Sequence, residues 1–136
     1  MKLEAKDLRI GNIIHFEDVD GQVETKVTWE DLKWASVNEK TFNEFHKPIP
    51  LTEEWLLRLG FEFIIDKNGF KALKKALNSL NQDWEMFYEI NESKHSFYLI
   101  NDSNETLHLK HVRHVHSLQN LYFSLSGEEL QLNQTT

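Results

Sequence analysis

The stretch PIPLTEEWLLRLGF, Pro48 to Phe61, is the strongest constraint on the fold. Pro48 and Pro50 hold the approach extended, because proline locks its own φ and disfavours helix in the residue before it. Thr52 suits an N-cap, its hydroxyl accepting an otherwise unpaired first-turn N–H. Glu53 and Glu54 sit at the positive end of the helix dipole. Trp55, Leu56 and Leu59 supply the apolar face, and Gly60 can take the left-handed stop. A second constraint lies near the C-terminus. Val115, Leu118, Leu121, Tyr122 and Leu125 recur at helical spacing, and Gly127 can end that helix. On this stripe Leu118 and Leu121 should be packed, while Gln119 and Asn120 fall off it and should be dispensable for stability.

Between these helices the pattern changes. WEMFYEI (Trp84–Ile90), HSFYLI (His95–Ile100) and ETLHLK (Glu105–Lys110) read as three antiparallel strands joined by hairpin-like NESK and NDSN. Before them, FEFII (Phe61–Ile65) is a strand candidate closed by the turn-like Asp66–Gly69. Phe70, Leu73, Leu77 and Leu80, with lysines between, predict an amphipathic helix. At the N-terminus, LRIGNIIHF and a run around Val23 to Val27 form a strand pair across Asp18–Gly21, with Gly11-Asn12 as a bend or bulge. Thr28 and Asp31 have capping-box spacing before a short helix carrying Trp29 and Leu32. Residues Asn38 to His46 read as a loop docked by Phe42 and Phe45. The expected fold class is therefore α+β. A small N-terminal strand pair with short helices precedes an antiparallel meander covered by a C-terminal helix. Each part needs neighbours to bury its apolar face, so one composite domain over residues 1–136 is expected, with a weak division near residue 61.

Composition narrows the chemistry. The chain of 136 residues has no cysteine, which excludes disulfides, thiolate catalysis and Cys-ligated zinc and fits a reducing cytoplasm. Its polar start is unlike a signal peptide, and no apolar run reaches the ~20 residues of a membrane span. The net charge of −7 disfavours generic binding to phosphate backbones and suits a basic protein surface. GxSxG, P-loop, HExxH and dinucleotide-loop patterns are absent, and no cofactor is expected. Glu53-Glu54 and Glu128-Glu129 are adjacent pairs that point about 100° apart on a helix, so neither makes an acid–base dyad.

Three candidate sites remain. The four tryptophans are many for this length, and an exposed one would anchor a protein partner. Trp29, Trp34 and Tyr122 are the protein-binding candidates. Lys71, Lys74, Lys75, Lys110 and Arg113 could meet phosphate, with Tyr122, Trp84 or Tyr88 stacking a base. HLKHVRHVH offers His108, His111 and His114 as weak metal ligands; His111 and His114 could share one helical face with His95 as a conceivable third, although none of the spacings within the run is the i, i+4 of a helical pair. No metal is assigned to them.

The RIGN start, the PIPLT-helix-GF centre and the VHSLQNLYFSLSGEEL finish, in this order, resemble a group of short proteins encoded in phages and prophages of the phylum Bacteroidota. The motifs cover both ends and the middle of the chain and mark the group without fixing an activity. Lys67 to Trp84 departs from its pattern and reads as an insertion. The resemblance implies a non-enzymatic, cytoplasmic accessory protein that acts by binding a host protein or ribonucleoprotein. The concrete expectation is an inhibitor of a bacterial defence nuclease of the anti-CRISPR kind, with a CRISPR effector or other nuclease as partner and no membrane involved. The alternatives are an RNA- or single-stranded-DNA-binding accessory factor and a metal-dependent hydrolase using the histidines.

Overall fold

A computed structural model describes residues 2–65, 69, 71–78, 83–90 and 95–133, without the side chains of Asn78, Asp83, Ile90 and His95. It is an α+β protein with two antiparallel sheets. The chain divides into two compact units, residues 1–51 with 113–121, and 52–112 with 122–136. No helix among the described residues is long and apolar enough to cross a membrane.

In the first unit, β1 (Ile13–Asp18) pairs with β2 (Gly21–Lys26) on one side and with β3 (His46–Lys47) on the other. The hairpin turns at Val19-Asp20, where the Asp18 carboxylate accepts the Asp20 N–H at 2.8 Å. The RIGN residues form a β-turn rather than a bulge within β1. Asn12 N–H donates to the Arg9 carbonyl at 3.0 Å, and Gly11 has φ +93°. The third position of such a turn favours glycine, which carries no Cβ to clash there. Helix α1 (Trp29–Val37) starts with a complete capping box. The Asp31 carboxylate accepts the Thr28 N–H at 2.8 Å, and the Thr28 hydroxyl accepts the Asp31 N–H at 3.3 Å.

Residues 39–45 are not a loop but helix α2 (Glu39–Phe45), capped by the Asn38 side chain on Thr41 N–H. The Phe42 and Phe45 spacing was a helical signal, and Asn38 is its N-cap. Leu3, Leu8, Ile14, Val27, Ala35 and Phe42 form this unit's core. The N-terminal segment is tied in by Asn43, whose side chain bonds both the N–H and the C=O of Leu3.

In the second unit, α3 (Glu53–Arg58) begins as expected, with the Thr52 hydroxyl accepting Trp55 N–H at 3.2 Å. Gly60 ends it at φ +93°. A five-stranded sheet follows, in the order β4 (Glu62–Ile65), β5 (Lys71–Asn78), β6 (Asp83–Ile90), β7 (His95–Asn101) and β8 (Thr106–His108). The described part of the expected helix Phe70–Leu80 is therefore β5. Leu73 and Leu77 are four apart, a spacing that places both on one face of a helix and also on one face of a strand. Pairing with β4 and β6 on its two sides decides for the strand. The Asp66–Asn68 part of the expected turn and the Asn91–Lys94 hairpin lie outside the described residues.

Register places Leu73, Tyr88 and Phe97 in one row and Met86 with Leu99 in the next, all buried on one face. At the β7–β8 turn the Asn101 side chain accepts the N–H groups of Ser103 and Glu105 at 3.0 and 2.9 Å.

Helix α4 (Val115–Ser126) begins with the apolar stripe and ends before Gly127. Of its stripe, Val115, Leu118 and Tyr122 are buried, Leu121 is half-buried and Leu125 is exposed. Leu118 has no solvent exposure, so Leu118→Ala should destabilise by about 2–5 kcal/mol in urea unfolding, the range for truncating a packed leucine. Leu121→Ala should cost distinctly less than Leu118→Ala, contrary to the equal packing implied by periodicity.

Candidate functional site

The first unit carries the most organised surface feature. Phe42 and His46 stack at 4.0 Å and are buried. Trp34 meets both edge-on, at 5.7 Å and 5.3 Å. Phe16 meets His46 at 5.3 Å, and Phe45 closes the cluster against Phe16 at 6.2 Å and Trp34 at 5.9 Å. The inner pair is fixed by backbone geometry, since His46 Nδ1 lies 2.9 Å from the Phe42 carbonyl one helical turn earlier.

The outer rings, Phe16, Trp34 and Phe45, are part-exposed, and Val23 stands opposite Phe16 in the β1–β2 register with 58% of its surface open. Carboxylates lie close to this shelf in sequence, with Glu17 and Glu24 on the opposite face of the hairpin from Phe16 and Val23. The hairpin that carries Phe16 and Val23 also carries Glu17, Asp18, Asp20 and Glu24, and Asp31 lies 3.9 Å from His46 Nε2.

Trp29, at the start of α1, is 60% exposed and has no part in these ring contacts. Trp34 belongs to the shelf. Tyr122 is buried in the second unit, with its phenol pushed up from its ordinary value by burial and then by Glu128. Phe16 and Phe45 were missed as site residues. Their signal was present as an aromatic in an alternating strand and another three residues after Phe42, but only the β1–β3 pairing brings them together.

The RIGN turn and the LQN of α4 are hydrogen-bonded to each other. Gln119 Oε1 accepts the Ile13 N–H at 2.8 Å. Asn120 Oδ1 accepts Arg9 Nε at 2.9 Å and Asn12 Nδ2 at 2.8 Å, while Asn120 Nδ2 donates to the Asp7 carbonyl at 2.8 Å. The PIPLT segment joins the same place. Val115 N–H donates to the Ile49 carbonyl at 2.9 Å and Leu51 N–H to the Arg113 carbonyl at 3.0 Å, around a Pro50–His114 bridge. The dispensability expected for Gln119 and Asn120 is thereby overturned. Off the apolar stripe Gln119 is buried and Asn120 half-buried, and both are hydrogen-bonded to the N-terminal turn.

The lysines do not assemble into one basic patch. On a strand rather than a helix, Lys71 and Lys75 take one face and Lys74 the other. Lys71 lies 3.6 Å from Glu53 and Lys74 lies 3.5 Å from Glu85. Lys110 and Arg113 are exposed just before α4.

The histidines are also dispersed. His108 ends β8 with its ring 5.6 Å from Tyr98, His111 is exposed, and His114 stacks on His116 at 5.8 Å. Among the described residues no three His, Asp or Glu side chains are grouped to hold a metal, and the His95 side chain lies outside them. His114 is held below the ordinary imidazole value by burial, with Arg113 adding to it. His116 is 1% exposed with neither ring nitrogen hydrogen-bonded among the described residues. Burial, reinforced by His114 and opposed by Asp7, lowers it to about 4.

Comparison of the chain with protein families, with curated proteins and with solved structures finds no match.

Gln119→Ala strands the buried Ile13 N–H and should cost about 1–3 kcal/mol in urea unfolding, and Asn120→Ala should also destabilise. For His116 the folded value lies below the unfolded one of about 6.5, so between the two the unfolded chain binds more protons. Stability should thus fall as pH drops from about 7 through 6.5 and level off below about 4, by on the order of 3 kcal/mol from this residue. Between about pH 7 and pH 4 the unfolding free energy of the wild type should fall by this amount more than that of His116→Leu.

Proposed function

We propose that the protein is a non-enzymatic binding protein whose partner is a basic protein surface, with the Phe16–Trp34–Phe45 shelf as the contact. The carrying observation is the shelf itself, with part-exposed rings backed by a buried, stacked Phe42–His46 pair. Aromatic rings already fixed in place bring large contact area at low entropic cost, which is the character of interface hot spots. The acidic hairpin supplies charge complementary to the basic nucleic-acid-binding groove of another protein. Together with the resemblance to Bacteroidota phage proteins, this supports a phage or prophage accessory protein that occupies a host defence nuclease, in the manner of an anti-CRISPR inhibitor.

The test is photo-cross-linking from position 23, beside the shelf, in a Bacteroidota host lysate, followed by a cleavage assay on any nuclease captured. A basic nucleic-acid-processing protein should be captured and inhibited. Phe45→Asp should weaken that binding by about 30-fold or more, a loss expected at a hot spot, with an unchanged melting temperature. Capture and inhibition that survive Phe45→Asp would remove the shelf from the interface.

A second reading, binding of single-stranded nucleic acid, has one observation in its favour. Lys74, Phe87, Tyr98 and His108 stand in one row across β5 to β8. Phe87 and Tyr98 stack at 5.4 Å, and both are half-buried. Such a row can stack bases. Glu85 on Lys74 and Glu89 on the Tyr98 hydroxyl work against a polyanion there. This reading requires salt-sensitive RNA binding that Tyr98→Ala abolishes, and the absence of any binding at low salt would eliminate it.

A further inference from the structure

Asp31 stands beside the aromatic shelf with half of its carboxylate uncommitted. Its Oδ2 belongs to the cap of α1, accepting the Thr28 N–H at 2.8 Å and the Thr28 O–H at 3.1 Å. Its Oδ1 faces His46 Nε2 at 3.9 Å, and no lysine or arginine among the described residues is paired with it. The Asp31 side chain is 22% exposed, so a group from solvent can reach it.

His46 meets this oxygen with a second acceptor. A backbone carbonyl only accepts, so the 2.9 Å contact with Phe42 places a ring proton on Nδ1. In the neutral ring Nε2 then carries a lone pair. Two acceptors 3.9 Å apart do not bond each other. Both call for a donor, and no described residue supplies one.

Aromatic rings stand next to these two groups. Trp34 follows Asp31 by three residues on α1, which puts both on one side of the helix. Its ring meets His46 edge-on at 5.3 Å and lies 5.9 Å from Phe45. Phe16 reaches the same imidazole from β1 at 5.3 Å. All of these residues belong to the first unit.

The chemistry that fits is a flat cation with diverging N–H groups. A guanidinium can donate to a carboxylate and to an imidazole nitrogen at once, while its face stacks on an indole. An ammonium is a point donor without a face. A phosphate or carboxylate would meet two acceptors. We propose that Asp31, His46 and Trp34 form a subsite for an arginine side chain of the partner, its guanidinium bonded to Asp31 Oδ1 and His46 Nε2 and stacked on Trp34. This subsite rests on the reading of the shelf as the contact for a basic protein surface and sets which basic residue anchors there. Arginine is among the residues enriched at interface anchors.

The test is an NMR titration of the full chain at about pH 8, above the ordinary imidazole range, with the N-acetylated, C-amidated tripeptide Gly-Arg-Gly and its lysine and citrulline counterparts, each to about 20 mM, enough to detect millimolar binding. The arginine peptide should give saturable shifts at the Trp34 indole N–H and the His46 ring protons. The lysine peptide should bind about fivefold more weakly or worse. The citrulline peptide, which keeps the shape without the charge, should give no saturable shift. Asp31→Asn should abolish the arginine shifts without lowering the melting temperature, because asparagine can accept the Thr28 N–H and offer its own amide N–H to His46 Nε2. The proposal is overturned if the arginine peptide gives no saturable shift, or if the lysine or citrulline peptide binds as well. Unchanged arginine affinity in folded Asp31→Asn also rejects it. Should Asp31→Asn lose its native spectrum, the three peptides on the parent chain decide. These titrations need no partner, so their failure rejects the arginine subsite alone and leaves the shelf to be judged by capture with Phe45→Asp.

Discussion

The Gln119 side-chain oxygen accepts the backbone N–H of Ile13 at 2.8 Å, at the point where the RIGN turn becomes β1. Around it Asn120 holds the Arg9 guanidinium, the Asn12 amide and the Asp7 carbonyl. These bonds join residues more than 100 positions apart, and much of the first unit depends on them. The turn leaves backbone groups pointing inward, and a buried N–H without an acceptor costs about as much as a lost hydrogen bond. Two carboxamides on successive positions of α4 can serve both donors and acceptors, which no pair of apolar side chains could do. The extended Ile49–Leu51 segment completes the arrangement by exchanging backbone bonds with Arg113 and Val115. Three motifs that look separate along the chain are therefore one structural device.

That device accounts for specificity of fold rather than for chemistry. The residues of the motifs are engaged with one another, and the part-exposed aromatic rings are others. Phe16, Trp34 and Phe45 lie outside RIGN, PIPLT and LQN, and they are presented by a hairpin strand and two short helices. Their support is the buried Phe42–His46 stack, so the shelf is preorganised by the same core that holds Leu3, Leu8 and Ile14. The second unit uses its charges differently. Lys71 and Lys74 are matched by carboxylates, and the Lys75 ammonium lies 5.9 Å from the centre of the Tyr122 ring.

Local chemistry was legible wherever a single short-range interaction decides the backbone. Thr52 and the Thr28–Asp31 box cap helices as their residue types demand, and Gly60 and Gly127 adopt positive φ after α3 and α4. The buried strands around Met86, Tyr88, Phe97 and Leu99 follow from alternation, because one sheet face is covered and a one-residue slip would expose it. The aromatic shelf was legible only in part. Trp34 stood out by residue type, while Phe16 and Phe45 acquire their meaning from a two-residue pairing of β1 with β3.

The α+β class, the caps and stops of the helices and the apolar faces of the central strands could be read from the chain alone, because these depend on residues a few positions apart. That residues 71–78 are a strand was settled by pairing across the sheet, since Leu73 and Leu77 satisfy both periods and only contact with β4 and β6 separates them. Long-range packing also made Gln119 and Asn120 anchors rather than a solvated face. An amide side chain reads as surface until a backbone with unpaired groups is brought against it, and that backbone comes from the other end of the chain.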